Sequence, residues 1–310
     1  MKHALLISEF LSTPWALMPE RLSAFAGVMA RWAGNVPISP ENVAIVAEAK
    51  AAREARRATA AANTPGGVIM VLPLYGVVTQ RGSADDISGP GVASTQKFTQ
   101  AFRAAMSDDA VAGILIDIDS PGGSVYGVGE LADEILQARG AKPVFAIANS
   151  LCASAAYWIG AAADQLFVTP GGEVGSIGVW SAHEDWSKAM EAAGVTTTLV
   201  SAGKFKTEGN PYGPLGKDAE AFMLSRVNDY YGAFTKFVSK GRGVPVGQVR
   251  DGMGQGRVLG ADAALAEKMV DGIGTFDDVV KKLSKAIKQP AAARGASRLA
   301  AAQNELQILG

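Results

Sequence analysis

The chain has 310 residues, 48% hydrophobic and 19% charged, enough for one sizeable core and too apolar for a disordered chain. A formal net charge of -1 argues against a polyanion-binding surface, so nucleic acid is not an expected partner. One cysteine, Cys152, excludes an intramolecular disulfide framework. Two histidines, His3 and His183, leave too few soft ligands for a zinc cluster, so no metal and no cofactor is expected.

The first apolar residues are interrupted by Ser8, Glu9, Ser12 and Glu20, which fits neither a signal peptide nor a membrane anchor. A soluble intracellular protein is expected. Residues 1–62 read as helical, with the basic run Lys50, Arg53, Arg56 and Arg57 on a solvated face. Residues 1–64 are therefore expected to form a helical N-terminal extension and linker, 65–288 the main domain and 289–310 a flexible tail.

From Val68 onward, strand and helix patterns alternate. "VIMVLPLYGVV" reads as strands and "STQKFTQAFRAAM" as an amphipathic helix with Phe98, Phe102 and Met106 on one stripe. "GILIDID" is a buried strand, "GVGELADEILQARG" a helix, "PVFAIAN" a strand and "SAAYWIGAAAD" a helix. "QLFVT", "DWSKAMEAAG" and "VTTTLVS" follow as strand, helix and strand, then a long helix over about 219–240 and a last one through "DDVVKKLSKAI". The order predicts an α/β fold of repeated βαβ units around a largely parallel sheet, with helices on both sides.

Two stretches carry candidate chemistry. "DSPGGS", residues 119–124, follows a buried strand; Pro121 fixes one turn dihedral, and Gly122 and Gly123 allow backbone amides to face a ligand. An ordinary strand-to-helix turn is the plain alternative. In "NSLCASAAYWIG", Ser154 stands at a helix start among small residues that admit a peptide backbone. A capping hydroxyl is the common reading and a nucleophile beside free helix amides the sharper one. A serine nucleophile needs a base. The sequence offers His183 in "WSAHEDWSK", or Lys204 and Lys206 in "SAGKFKTEGNP". Cys152 reads as a buried, inert thiol. Asp117 and Asp119 share a strand face with no evident third ligand, which favours turn and capping roles over a metal.

"DSPGG", "ASAAYW", "VGSIGV" and "SAGKFKTEG", in this order, resemble the signal peptide peptidase A (protease IV) family of serine peptidases, of the Clp protease/crotonase fold group. The similarity spans about residues 68–283 and implies repeated ββα units and a Ser–Lys dyad. By it Ser154 is the nucleophile, Lys206 the general base and Ser176 the residue orienting the lysine. Gly123 and Ala155 supply the oxyanion amides, with Pro121 and Gly122 as the supporting loop. Two departures stand out: Ala155 and Ala156 replace the family's usual glycines, and an extra residue between Ser201 and Gly203 leaves Lys204 as an alternative base. The serine-to-lysine interval favours Lys206. His183 remains a second alternative, as in the related Ser-His-Asp Clp peptidase.

With its helical preface, the chain looks most like the tailed-phage branch of head-maturation (capsid assembly) proteases. That implies protein substrates such as scaffold, capsid protein or the enzyme itself, a homo-oligomeric ring, and a location in the host cytoplasm and immature phage head. A bacterial cytoplasmic protease of signal-peptide-peptidase type is the alternative. A crotonase-type acyl-CoA enzyme and an inactive scaffold component are the remaining rivals.

Overall fold

The computed structural model describes residues 14–18, 67–81 and 92–288. The expected alternation of strand and helix is present from Val68. Among the described residues, strand β1 (Trp15–Leu17) is followed by β2 (Val68–Tyr75), β3 (Val77–Thr79) and β4 (Val92–Ser94). Helix α1 (Thr95–Ser107) starts at Ser94, whose hydroxyl accepts a hydrogen bond from the Lys97 amide. Then come β5 (Val111–Ser120), β6 (Gly122–Ser124), α2 (Val128–Ala138), β7 (Val144–Ala153), α3 (Ala155–Gly160), β8 (Gln165–Val168) and β9 (Glu173–Gly175). The C-terminal part adds α4 (Ser187–Ala192), α5 (Lys217–Arg242), α6 (Val246–Asp251), β10 (Val258–Gly260), α7 (Ala261–Ala266), β11 (Gly272–Ile273) and α8 (Phe276–Ile287).

Strands β2, β5 and β7 are parallel neighbours, with Leu115 opposite Val71 on one side and Phe145 on the other. β7 is long enough to serve two further partners. Its residues 145–148 pair with β8, and its residues 151–153 pair with β9. β5 is largely buried on both faces, as a central parallel strand must be. Ile114, Ile116 and Ile118 join the larger core with Phe102 of α1, Leu131 of α2 and Phe234 of α5. Leu115 faces a second core with Phe145, Phe167 and the α8 residues Val279 and Leu283. Helices thus cover both sides of the sheet, as the alternation predicts. A second sheet has the order β1-β6-β3-β4, in which only the β1–β6 pair is antiparallel.

Three expectations change. Residues 1–62 are predicted helical, yet Trp15, Ala16 and Leu17 form a strand on β6, because the unpaired edge of the Gly122–Ser124 segment takes them up. The remaining residues of that extension, with His3 and the basic run, lie outside the described residues, as does the tail 289–310. "DSPGGS" is more than a turn: it contains β6, and α2 starts only after Gly127, which adopts the left-handed conformation at φ 75°. "VTTTLVS" is not a strand, because no sheet edge among the described residues reaches it; Val195, Leu199 and Val200 are exposed, Val200 at 94%.

Candidate active site

The nucleophile candidate stands where β7 ends and α3 begins. Ser154 has φ 56° and ψ −120°, a conformation that L-residues avoid and that costs on the order of 1–3 kcal/mol. Its amide donates to the Gly175 carbonyl at 2.7 Å, and the Trp158 amide donates back to the Ser154 carbonyl at 2.9 Å. Its side chain makes no capping hydrogen bond. The hydroxyl is fully buried and its acceptor is the Gly178 carbonyl at 3.5 Å, a long contact. The capping reading therefore fails: the turn is strained, and the hydroxyl does nothing for the helix. A strained strand-to-helix turn of this kind thrusts a serine oxygen out of the backbone.

The scaffold around the turn is tight. Ala155, Ala156 and Tyr157 are buried, Trp158 stacks on Phe234 with ring centroids 4.7 Å apart, and the Tyr157 hydroxyl donates to the Met269 carbonyl. Beyond the short α3, the Arg139 guanidinium donates to the carbonyls of Ala161, Ala162, Ala163 and Gly241. This single cation satisfies the chain end of α3 and ties it to α5.

The glycine loop comes up beside Ser154. A Cβ on Gly122, which sits at φ 92°, would lie 2.8 Å from the Ser154 Cβ and 2.9 Å from the Ala153 carbonyl oxygen. A Cβ on Gly123 would lie 1.9 Å from the Val78 carbonyl oxygen, so β3 passes too closely for any side chain. Buried Ser120 organises the loop. Its hydroxyl donates to the Gly76 carbonyl at 2.6 Å and accepts from the Gly122 amide at 3.2 Å. With the Gly122 amide engaged there, Gly123 stays the candidate oxyanion donor of the pair. Ala155 is the first residue of α3, whose first amides have no acceptor within the helix.

The residues expected to supply or orient the base stand differently. Ser176 is buried at φ 53°, one residue beyond the Gly175 carbonyl that holds Ser154. Lys206 and Lys204 lie in an exposed loop of successive turns; Lys204 rests over the Phe205 ring at 4.5 Å. Among the described residues no hydrogen bond joins Ser154 to either lysine. His183 is bonded through Nε2 to the Asn210 carbonyl, 3.0 Å, and likewise has no hydrogen bond with Ser154.

Burial pushes the Cys152 thiol well above the usual thiol range, which keeps it protonated and inert as expected. Asp117 does not cap a helix: it is buried within the sheet and accepts a hydrogen bond from the Tyr75 hydroxyl on β2. No cluster of metal-ligating side chains occurs among the described residues, and none of their helices is long and apolar enough to cross a membrane.

Sequence reasoning missed Ser120, Arg139 and Trp180. The serine of "SPGG" carried a signal, because a small hydroxyl residue two before Gly122 can bond that glycine's amide. Arg139 read as an ordinary cation near a helix C-terminus, and Trp180 had no periodic partner to mark it.

Peptidase family S49 matches residues 137–289, which include β7, Ser154, Ser176 and both loop lysines. Capsid assembly protease C of Escherichia phage lambda is 36% identical over 208 residues, 66% of this chain and 46% of that protein. A putative protease of Methanocaldococcus jannaschii is 32% identical over 178 residues, 57% of each chain. The chain thus spans about half the length of these curated relatives. Among solved structures, ClpP1 of Listeria monocytogenes has a TM-score of 0.41 and 17% identity, covering 68% of this chain and 94% of that one. The chain belongs to peptidase family S49, a family of serine peptidases.

Proposed function

We propose that the protein is a serine endopeptidase in which Ser154 is the nucleophile and Lys206, supplied by a neighbouring copy in a ring, is the general base. The observation that carries the reading is the buried, strained Ser154 whose hydroxyl caps nothing. Lys206 takes the Ser154 proton as the oxygen attacks a peptide carbonyl, the amides of Gly123 and Ala155 hold the oxyanion, and water then releases the acyl-enzyme. Ser176 orients the amine. A lysine acts as base only where desolvation lowers its pKa towards about 7–8. The exposed loop, with Phe205 and the apolar residues Leu199 and Val200 nearby, suits burial against a second copy. The chain is divided as 1–64, 65–288 and 289–310, with the middle part carrying the chemistry.

Similarity to capsid assembly protease C supports a role in phage head maturation, with scaffold or capsid protein as substrate in the host cytoplasm and immature head. Similarity to a putative signal peptide peptidase SppA of Enterococcus faecium, 28% identical over 218 residues, favours a second reading, a bacterial cytoplasmic protease of signal-peptide-peptidase type. Co-expression with adjacent structural genes separates them: fragments of those proteins that vanish with Ser154→Ala support maturation, and their absence favours the cellular reading.

The dyad is tested by peptide cleavage. Lys206→Ala lowers the rate on the order of 10²–10⁴-fold, and mixing inactive Ser154→Ala with inactive Lys206→Ala restores activity when the lysine comes from a neighbour. Loss of activity in His183→Ala with retention in Lys206→Ala overturns the assignment in favour of histidine. Labelling of Ser154 by a fluorophosphonate excludes the crotonase-type and inactive-scaffold readings.

A further inference from the structure

The strand edge beside Ser154 is already occupied by the protein's own chain. β1 lies antiparallel on β6, with Trp15 opposite Ser124, Ala16 opposite Gly123 and Leu17 opposite Gly122. On its other edge the Trp15 amide donates to the Trp180 carbonyl at 2.8 Å, and the Trp180 amide donates to the Trp15 carbonyl at 3.0 Å. The segment is therefore zipped between two edges, the glycine loop and the stretch that follows Gly178, whose carbonyl faces the Ser154 hydroxyl. An extended peptide added to a sheet edge is a general mode of peptide recognition.

The register selects one bond. The Met18 amide donates to the Pro121 carbonyl at 3.1 Å. Hydrogen-bonded pairs alternate along an antiparallel ladder, so the next such pair is Ala16 with Gly123, whose amide points at the Ala16 carbonyl. That oxygen lies 2.3 Å from the position of a Gly122 Cβ, and the Ser154 Cβ lies 2.8 Å from the same point. The Ala16 carbonyl thus sits beside the nucleophile, against the amide assigned as oxyanion donor. Its methyl group is fully buried in the main core, whereas Trp15 and Leu17 pack on the opposite side with Val77 and Trp180. Across the bond, the Trp180 indole Nε1 donates to the Leu17 carbonyl at 2.8 Å. Both sides of one peptide bond are held as a substrate would be.

We propose that residues 14–18 are the enzyme's first substrate: they block the groove in cis, and Ser154 opens it by cleaving the peptide bond between Ala16 and Leu17. This rests on the peptidase reading above. Ser154 Oγ bonds to the Ala16 carbonyl carbon as its proton passes to the base. The Ala16–Leu17 C–N bond then breaks, with that proton delivered to the Leu17 nitrogen. Water hydrolyses the Ala16 ester, leaving an Ala16 carboxylate, a chain that begins at Leu17 and a restored serine. Until this happens, other peptides compete with a tethered strand.

The test incubates purified full-length protein and reads its N-terminus by intact mass and sequencing, with fluorophosphonate labelling and peptide cleavage measured in parallel. Wild type is expected to become a chain starting at Leu17, while Ser154→Ala stays whole. Leu17→Pro, which replaces the leaving amine, is expected to stay uncut there, and to label roughly tenfold or more slowly than the processed chain, because only the fraction with an open groove reacts. If wild type labels at Ser154 and cleaves peptides while the bond after Ala16 stays intact, the inference is overturned and the peptidase reading stands. If neither wild type nor a variant lacking residues 1–16 labels or cleaves, the peptidase reading itself falls and takes the inference with it.

Discussion

The two halves of the proposed dyad are built in opposite ways. Ser154 is held by β7, α3 and β9, fully buried, with its amide and carbonyl both bonded. Lys206 stands in an exposed loop of turns whose bonds are local, such as the Lys206 amide to the Gly203 carbonyl at 3.2 Å. A nucleophile needs placement within fractions of an ångström, which packing on a central sheet supplies. A base delivered from a neighbouring copy needs reach instead. If Lys206 comes from a neighbouring copy, as proposed, activity depends on assembly while the reactive oxygen stays pre-organised in each chain.

The largest expected effect tests the strained half. Ser154→Ala is expected to lower peptide cleavage on the order of 10⁴-fold or more. Ser154→Gly removes the same oxygen but suits φ 56°, so it is expected to raise stability by about 1 kcal/mol while abolishing activity. Chemical denaturation of the three proteins reads this. A glycine variant no more stable than wild type would mean that the turn stores no strain. Next, Gly123→Ala forces a methyl into the Val78 carbonyl; displacement of the oxyanion amide is expected to cost on the order of 10²–10³-fold in kcat, with KM little changed. Arg139→Ala strips four carbonyls of their donor. A loss of about 3 kcal/mol in unfolding free energy is expected, and Arg139→Lys, with a point charge in place of a planar fork, recovers only part of it.

What the sequence made legible divides along the same line. The strand and helix alternation was readable because the central strands β5 and β7 bury both faces with long apolar runs. Ser154, Gly123 and Ala155 were singled out only by the resemblance carried by four motifs in order; read alone, Ser154 was a capping hydroxyl and the glycine loop an ordinary turn. "VTTTLVS" was misread because β-branched residues fit a strand locally, and whether a partner edge exists is a tertiary fact. β1 was missed for the converse reason. Three residues beside a proline carry no period, and their pairing with Gly122–Ser124 joins segments more than a hundred positions apart. Arg139 shows the same limit, since its acceptors come from α5 as well as from the end of α3.

The smallest effect on the single chain should be the most telling about the lysine half. Val200 is 94% exposed, so Val200→Asp removes no packing within one copy, and its unfolding free energy is expected to move by less than about 0.5 kcal/mol. If residues 195–206 dock against a neighbour, the same change buries a carboxylate at an apolar contact, which is costly without a partner charge. Size-exclusion chromatography with light scattering should then show a smaller assembly. Peptide cleavage should fall with the loss of assembly and recover as protein concentration rises, because mass action restores the contact. A variant that assembles and cleaves like wild type would remove Val200 from the interface. It would leave Lys206 to reach Ser154 by a movement of its own loop, and mixing inactive Ser154→Ala with Lys206→Ala would then restore nothing.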